Sequence, residues 1–167
     1  SHQIAENLGD ERREQDAALE AATEVASLTS DTDLTLATAL HWLHQQGFDL
    51  EAANLETRFG AAVTKLLRAL EPLAAPRLPP GWSGSALPAA QAESLRKMLL
   101  AIAGDPRLLL VRLSEQLVRL RHARTLGTEQ QQHLALETRE ILAPLASRLG
   151  IWSLKWELED WAFRYLE

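Results

Sequence analysis

Apolar residues recur at three- and four-residue intervals along almost the whole chain, the spacing that places side chains on one face of an α-helix. Asp10-Glu11 followed by Ala18, Ala22, Val25 and Leu28 reads as a capped helix with a shallow, alanine-rich face. Ser30-Asp31-Thr32-Asp33 interrupts it and offers a cap to a second helix, whose stripe is Leu36, Ala39, Leu40 and Leu43 and whose stop is Gly47. A short helical piece is expected over 50–58. Gly60 precedes another, with Val63, Leu66, Leu67 and Leu70 on one face.

The pattern fails between Glu71 and Pro88, where Pro72, Pro76, Pro79, Pro80 and Pro88 join Gly81 and Gly84. Proline lacks the N–H that helices and central strands need, so a long surface loop is expected near 71–90, inside one domain. Leu95, Met98, Leu99 and Ile102 resume the stripe up to Gly104. Asp105-Pro106 supplies a cap with proline at the first helical position. The helix beyond it opens Leu108-Leu109-Leu110-Val111, apolar around most of its circumference, which marks a central, buried helix. Thr128 with Gln131 has capping-box spacing and opens a long helix that Pro144 should kink and Gly150 should end. A last helix carries Leu154, Leu158, Trp161 and Tyr165 on one face, with Lys155, Glu157, Glu159 and Asp160 largely opposite. Nothing alternates as a strand would, and the expectation is an all-α fold of about eight helices.

Composition narrows this picture. With 167 residues, 46% hydrophobic and 24% charged, the chain has the size and balance of one compact multi-helix domain. No apolar run is long enough to cross a bilayer and no signal peptide is recognisable, so a cytoplasmic protein with no membrane partner is expected. Ser1-His2 reads as an addition, and the break at Tyr165-Leu166-Glu167 as a cut in a longer chain. The absence of cysteine excludes disulfides, thiolate metal sites and thiol catalysis. Net charge is −6, but Arg112, Arg119, Arg121 and Arg124 gather on one helix. Such a run reads first as a solvated face and second as a contact for nucleotide or RNA; direct nucleic-acid binding is not expected.

No glycine-rich phosphate loop, nucleophile elbow or His-Glu-x-x-His helix is present. His41 and His44, three apart, share one side of a helix and are the only close histidine pair there. Their neighbours Trp42, Gln45 and Gln46 provide no carboxylate, so a structural or surface role is the expectation, with no metal and no cofactor. Trp152, Trp156 and Trp161 read first as packing residues and second as a partner face. Trp82, in the proline-rich loop, is hard to bury and favours a contact role there.

From Glu137-Thr138-Arg139-Glu140-Ile141-Leu142-Ala143-Pro144-Leu145-Ala146-Ser147-Arg148-Leu149-Gly150-Ile151, through Leu154-Lys155-Trp156-Glu157-Leu158-Glu159-Asp160, to Phe163-Arg164-Tyr165-Leu166, the chain resembles the hydrolase domain of RelA/SpoT-type alarmone proteins. Ser94 to Ala101 adds to the resemblance, which extends over roughly residues 33–167. In that family the domain is a helical, metal-dependent hydrolase of the His-Asp (HD) superfamily that removes pyrophosphate from the ribose 3′ position of the alarmone, and a synthetase domain follows it. The resemblance implies that the metal is held by a first-helix His, a His-Asp pair and a later Asp, with a Glu-Asp pair assisting the water.

Thr35 to Leu40 resembles the lead into the His-Asp pair, which puts His41-Trp42 in its place and Gln45-Gln46 in that of Glu-Asp. Arg112-Leu113-Ser114-Glu115 resembles Lys-Leu-Ala-Asp, which makes Glu115 the counterpart of the last ligand, one methylene longer. Asp16 to Leu28 contains no histidine, so the first ligand is missing as well. His122-Ala123-Arg124-Thr125-Leu126 only partly echoes the family's Asn-Met-Arg-Thr segment, three residues further on than expected, and nucleotide binding is not transferred to it. A hydrolytic metal must be held by several ligands if it is to acidify a water and polarise a phosphate. The resemblance therefore implies a degenerate hydrolase domain over 1–167, with no catalytic set left at His41, Trp42, Gln45, Gln46 and Glu115. It would act as a regulatory module for a synthetase domain beyond residue 167 in a GTP pyrophosphokinase. Residual hydrolysis through His41, His44 and Glu115 is the first alternative, and docking of guanine nucleotide or a regulatory protein is the second.

Overall fold

The computed structural model describes residues 2–50, 54–73, 78–79, 82 and 84–167. Among them every regular element is helical: α1 (His2–Leu28), α2 (Thr32–Gln45), α3 (Leu55–Phe59), α4 (Ala61–Leu70), α5 (Ala89–Gly104), α6 (Arg107–Arg121), α7 (Thr128–Glu137), α8 (Ala143–Arg148) and α9 (Trp152–Leu166). They form two compact units, 1–71 and 72–167.

In the first unit α1 packs on α2, and α2 on α4. The helix α1 does not begin at Asp10; it runs through Gly9 and Asp10 from His2, and Asp10 lies exposed within it. Its buried face is Ala17, Ala18, Ala21, Ala22 and Val25, small enough for α2 to approach closely. Asp31 caps α2, its Oδ1 accepting from the Leu34 N–H at 3.1 Å. The inward face of α2 is Leu34, Ala37, Thr38 and His41, joined by Leu40 and Trp42, whereas Leu36, Ala39 and Leu43 are only half-buried. The expected stripe was therefore rotated. Thr38 is admitted to the buried face because its hydroxyl donates to the Leu34 carbonyl at 2.8 Å. Gly47, at φ +90°, ends the helix by donating to His44 O. Of the piece expected over 50–58, helix α3 begins only at Leu55, and residues 51–53 lie outside the described residues.

The second unit begins in the proline-rich stretch. Glu71–Leu73 makes one 3₁₀ turn, and Leu73 and Leu78 are buried, so this segment is anchored by two leucines and is not wholly a surface loop. Pro76, Pro80 and Gly81 lie outside the described residues. Helix α6 is the centre: Leu108, Leu109, Val111, Leu113, Leu117, Val118 and Leu120 are all buried, as the all-round apolar pattern requires. At its start the Asp105 carboxylate accepts from the Arg107 N–H at 3.2 Å.

Two expectations about the following helix fail for local reasons. Gly127, not Thr128, occupies the N-cap of α7, and the Gln131 amide reaches the Ala123 carbonyl at 2.8 Å instead of closing a capping box. Before Pro144 the helix widens into a π turn over Thr138–Leu142, in which the Ala143 N–H bonds back to Thr138 O. The widened turn moves the chain ahead of a ring that would otherwise crowd the carbonyl four residues back. A single kinked helix thus becomes α7, a π turn and α8. Gly150, at φ +73°, and Ile151 then close α8 with paired bonds to Ser147 O and Ala146 O, a Schellman arrangement. Helix α9 packs on α6, α7 and α8, and the Tyr165 hydroxyl donates to Leu120 O at 3.2 Å.

Candidate functional site

The two halves of the sequence-derived site fall in different units, and each has its own geometry. In the first, α2 carries His41 and Trp42 inward, at 6% and 5% exposure, while His44, Gln45 and Gln46 lie exposed on its last turn. The histidine pair is therefore divided between the interior and the surface, although its spacing suggested one face. The Trp42 indole Nε1 donates to Glu14 Oε2 of α1 at 2.9 Å. An indole nitrogen is a donor only, so at the position that the resemblance aligns with a carboxylate the side chain binds a carboxylate instead. Gln45 and Gln46 offer neutral amide oxygens, weak ligands for a hard cation and no base for a water.

In the second unit the polar groups of α6 form a buried network that sequence reasoning missed. Arg112 is not on a solvated face. Its Nε donates to Leu73 O at 2.9 Å, its Nη1 to Gln116 Oε1 at 2.8 Å and its Nη2 to Glu137 Oε1 at 2.5 Å. The Gln116 amide in turn donates to Thr138 Oγ1 at 2.9 Å and Leu134 O at 3.3 Å. Glu115 is fully buried and accepts from Arg119 Nη2 at 3.2 Å. Burial pushes the Arg119 guanidinium below its ordinary value; the Glu115 charge opposes that, and Arg112 adds to it. Of the other two, Arg121 pairs with Glu157 at 2.6 Å, and Arg124 is exposed but lies on a 3₁₀ turn beyond α6, so the four arginines do not share one solvated helix face. The available signal was chemical: polar residues in a helix apolar around its circumference must find partners inside.

The metal implied by the resemblance does not fit these residues. Among the described residues no three His, Asp or Glu side chains are grouped to hold an ion, Trp42 is a donor bonded to Glu14, and Glu115 faces a guanidinium.

The tryptophans divide by environment. Trp161 is half-buried, 6.3 Å from Tyr165 between ring centroids and covered by the Arg164 guanidinium at 4.6 Å. Trp152, Trp156 and Phe163, at 51%, 65% and 62% exposure, share one outward face of α9. Trp82 is half-buried, and its N–H is taken by Ser85 O at 2.7 Å. No helix is long and apolar enough to cross a membrane.

The HD-domain family matches this chain over residues 2–152, across both units. A guanosine-3′,5′-bis(diphosphate) 3′-pyrophosphohydrolase of Aquifex aeolicus is 37% identical over 148 residues, 89% of this chain and 20% of that protein. A probable GTP pyrophosphokinase of Mycobacterium leprae is 40% identical over 149 residues, 89% of this chain and 18% of its own length. A GTP pyrophosphokinase of Streptomyces antibioticus reaches 54% over 78 residues, 47% of this chain and 9% of its own. The chain thus spans a fifth or less of the length of these relatives.

Proposed function

The chain belongs to the HD-domain family in its RelA/SpoT-type branch, and on that premise we propose that it is a hydrolase-like domain that no longer hydrolyses and serves as a regulatory module of a GTP pyrophosphokinase. The observation that carries this reading is the Trp42–Glu14 hydrogen bond: the position of a metal-binding carboxylate holds a buried indole whose one polar atom is already engaged. Loss of the carboxylates at Gln45 and Gln46 removes the groups that would direct a water, and the Arg119 pairing keeps Glu115 from compensating.

In this reading a synthetase domain follows residue 167 and is the partner that this domain positions or restrains, in the cytoplasm. The Trp152, Trp156 and Phe163 face of α9 supports a docking role, since exposed aromatics clustered on one face mark contact surfaces more often than isolated ones do.

The test is direct. Purified chain incubated with guanosine 3′,5′-bis(diphosphate) and manganese is expected to release no pyrophosphate above the protein-free blank. Release that a chelator abolishes overturns the proposal and favours a residual hydrolase. Titration with guanine nucleotides under tryptophan fluorescence separates the docking reading, in which the signal is flat, from nucleotide binding.

A further inference from the structure

A fully buried carboxylate is costly unless a positive charge is held close to it, and in a metal site that charge is the ion. Glu115 is fully buried, and α6 itself brings Arg119 one turn later with Nη2 3.2 Å from its Oε2. The order Glu then Arg at four-residue spacing is the favourable one for a helical pair. One turn before, Arg112 on the same helix holds Glu137 of α7, with side chains 7% and 16% exposed. Arg112, Glu115 and Arg119 stand at three- and four-residue spacing on one side of α6, so two cations and two anions lie together in the second unit.

We propose that Arg119 is the built-in counter-cation of Glu115, and that with Arg112 and Glu137 it closes a self-neutralised charge cluster holding α6 to α7 with no added ion. The inference rests on reading Glu115 as a former ligand position. It differs from the proposed function in what it asserts: Glu115 is engaged in internal charge balance, and the unit's stability is independent of divalent metal. The cluster is continuous with the Gln116–Thr138 bonds, so its loss reaches the π turn that begins at Thr138.

Thermal unfolding of the full chain tests this, with manganese chloride alone or a chelator present. The wild-type midpoint is expected to be the same in both. Glu115→Gln should lower it, because a paired carboxylate is neutralised; an orphaned former ligand, carrying unbalanced charge, would gain stability on the same change. Arg119→Met is expected to lower the midpoint by about 5–10 °C, and Glu115→Gln with Arg119→Met should recover at least half of that loss. A stabilising Glu115→Gln, purely additive losses in the double variant, or a wild-type midpoint raised by manganese would each overturn the cluster. If Arg119→Met does not fold, the sign of the Glu115→Gln shift still decides. Metal-dependent hydrolysis with the coupling intact and the wild-type midpoint unmoved by manganese would sink the proposed function and leave this inference standing.

Discussion

Trp42 and Glu14 join α2 to α1 through a hydrogen bond of 2.9 Å between residues 28 positions apart. The bond fixes the orientation of a buried indole at the position where the family resemblance calls for a carboxylate. Trp42→Phe keeps most of the apolar contact and removes the donor, leaving half-buried Glu14 to water. A loss of about 1 kcal/mol is expected, read as a lower urea midpoint with an unchanged slope. No loss would mean that the indole is held by packing alone.

Trp42→Asp with Gln45→Glu and Gln46→Asp rebuilds three carboxylates of the hydrolytic pattern but supplies no first-helix histidine. This triple variant is expected to remain inactive with manganese, and to be destabilised by about 3–5 kcal/mol through loss of the buried ring. Hydrolysis by the triple variant would show that the rest of the metal shell is still in place.

Arg112 serves three acceptors at once: Leu73 O, Gln116 Oε1 and Glu137 Oε1. Arg112→Met fills most of the volume and strands all three. A cost of about 3–5 kcal/mol follows, measurable by urea unfolding. Leu73 is buried, so faster proteolysis beside it should accompany the loss. An unchanged cleavage rate would separate the network from the anchoring of Leu73.

Gly150 sits at φ +73°, and a Cβ there would meet only the Trp152 Nε1 at 3.9 Å, an ordinary contact. The cost of Gly150→Ala is therefore backbone strain, about 1–2 kcal/mol. Gly47→Ala, at φ +90° with open space around it, should cost a similar amount by the same denaturant assay.

On the surface of α5, Arg96 donates to both oxygens of Glu93, at 3.0 and 2.7 Å. That hydrogen bonding holds the Glu93 carboxyl below its ordinary value. Because the folded value is depressed, the pair's small contribution is present above the unfolded pKa and is lost as pH falls through the folded one. NMR titration of the Glu93 carboxyl should give a lowered midpoint that Arg96→Ala returns to the usual range.

The family resemblance lay in matching stretches of sequence; the helical class, the central place of α6, the stops at Gly47 and Gly150 and the cap at Asp31 were legible in the residue order by physical reasoning. Each depends on chemistry acting within a few positions: apolar spacing, the φ preference of glycine, the reach of an aspartate oxygen to a nearby N–H. Which face of α2 turns inward, and that His41 goes in while His44 stays out, was decided only when α1 and α4 packed against it. The pairing of Trp42 with Glu14, and of Arg112 with Glu137 and Leu73, lay beyond local reading for the same reason. A buried polar side chain must find a partner, but distance along the chain does not say which; packing brings the acceptor within reach. The residues at positions 41, 42, 45, 46 and 115 were named from the sequence, and the tertiary structure supplied the hydrogen-bond partners of Trp42 and the burial of Glu115.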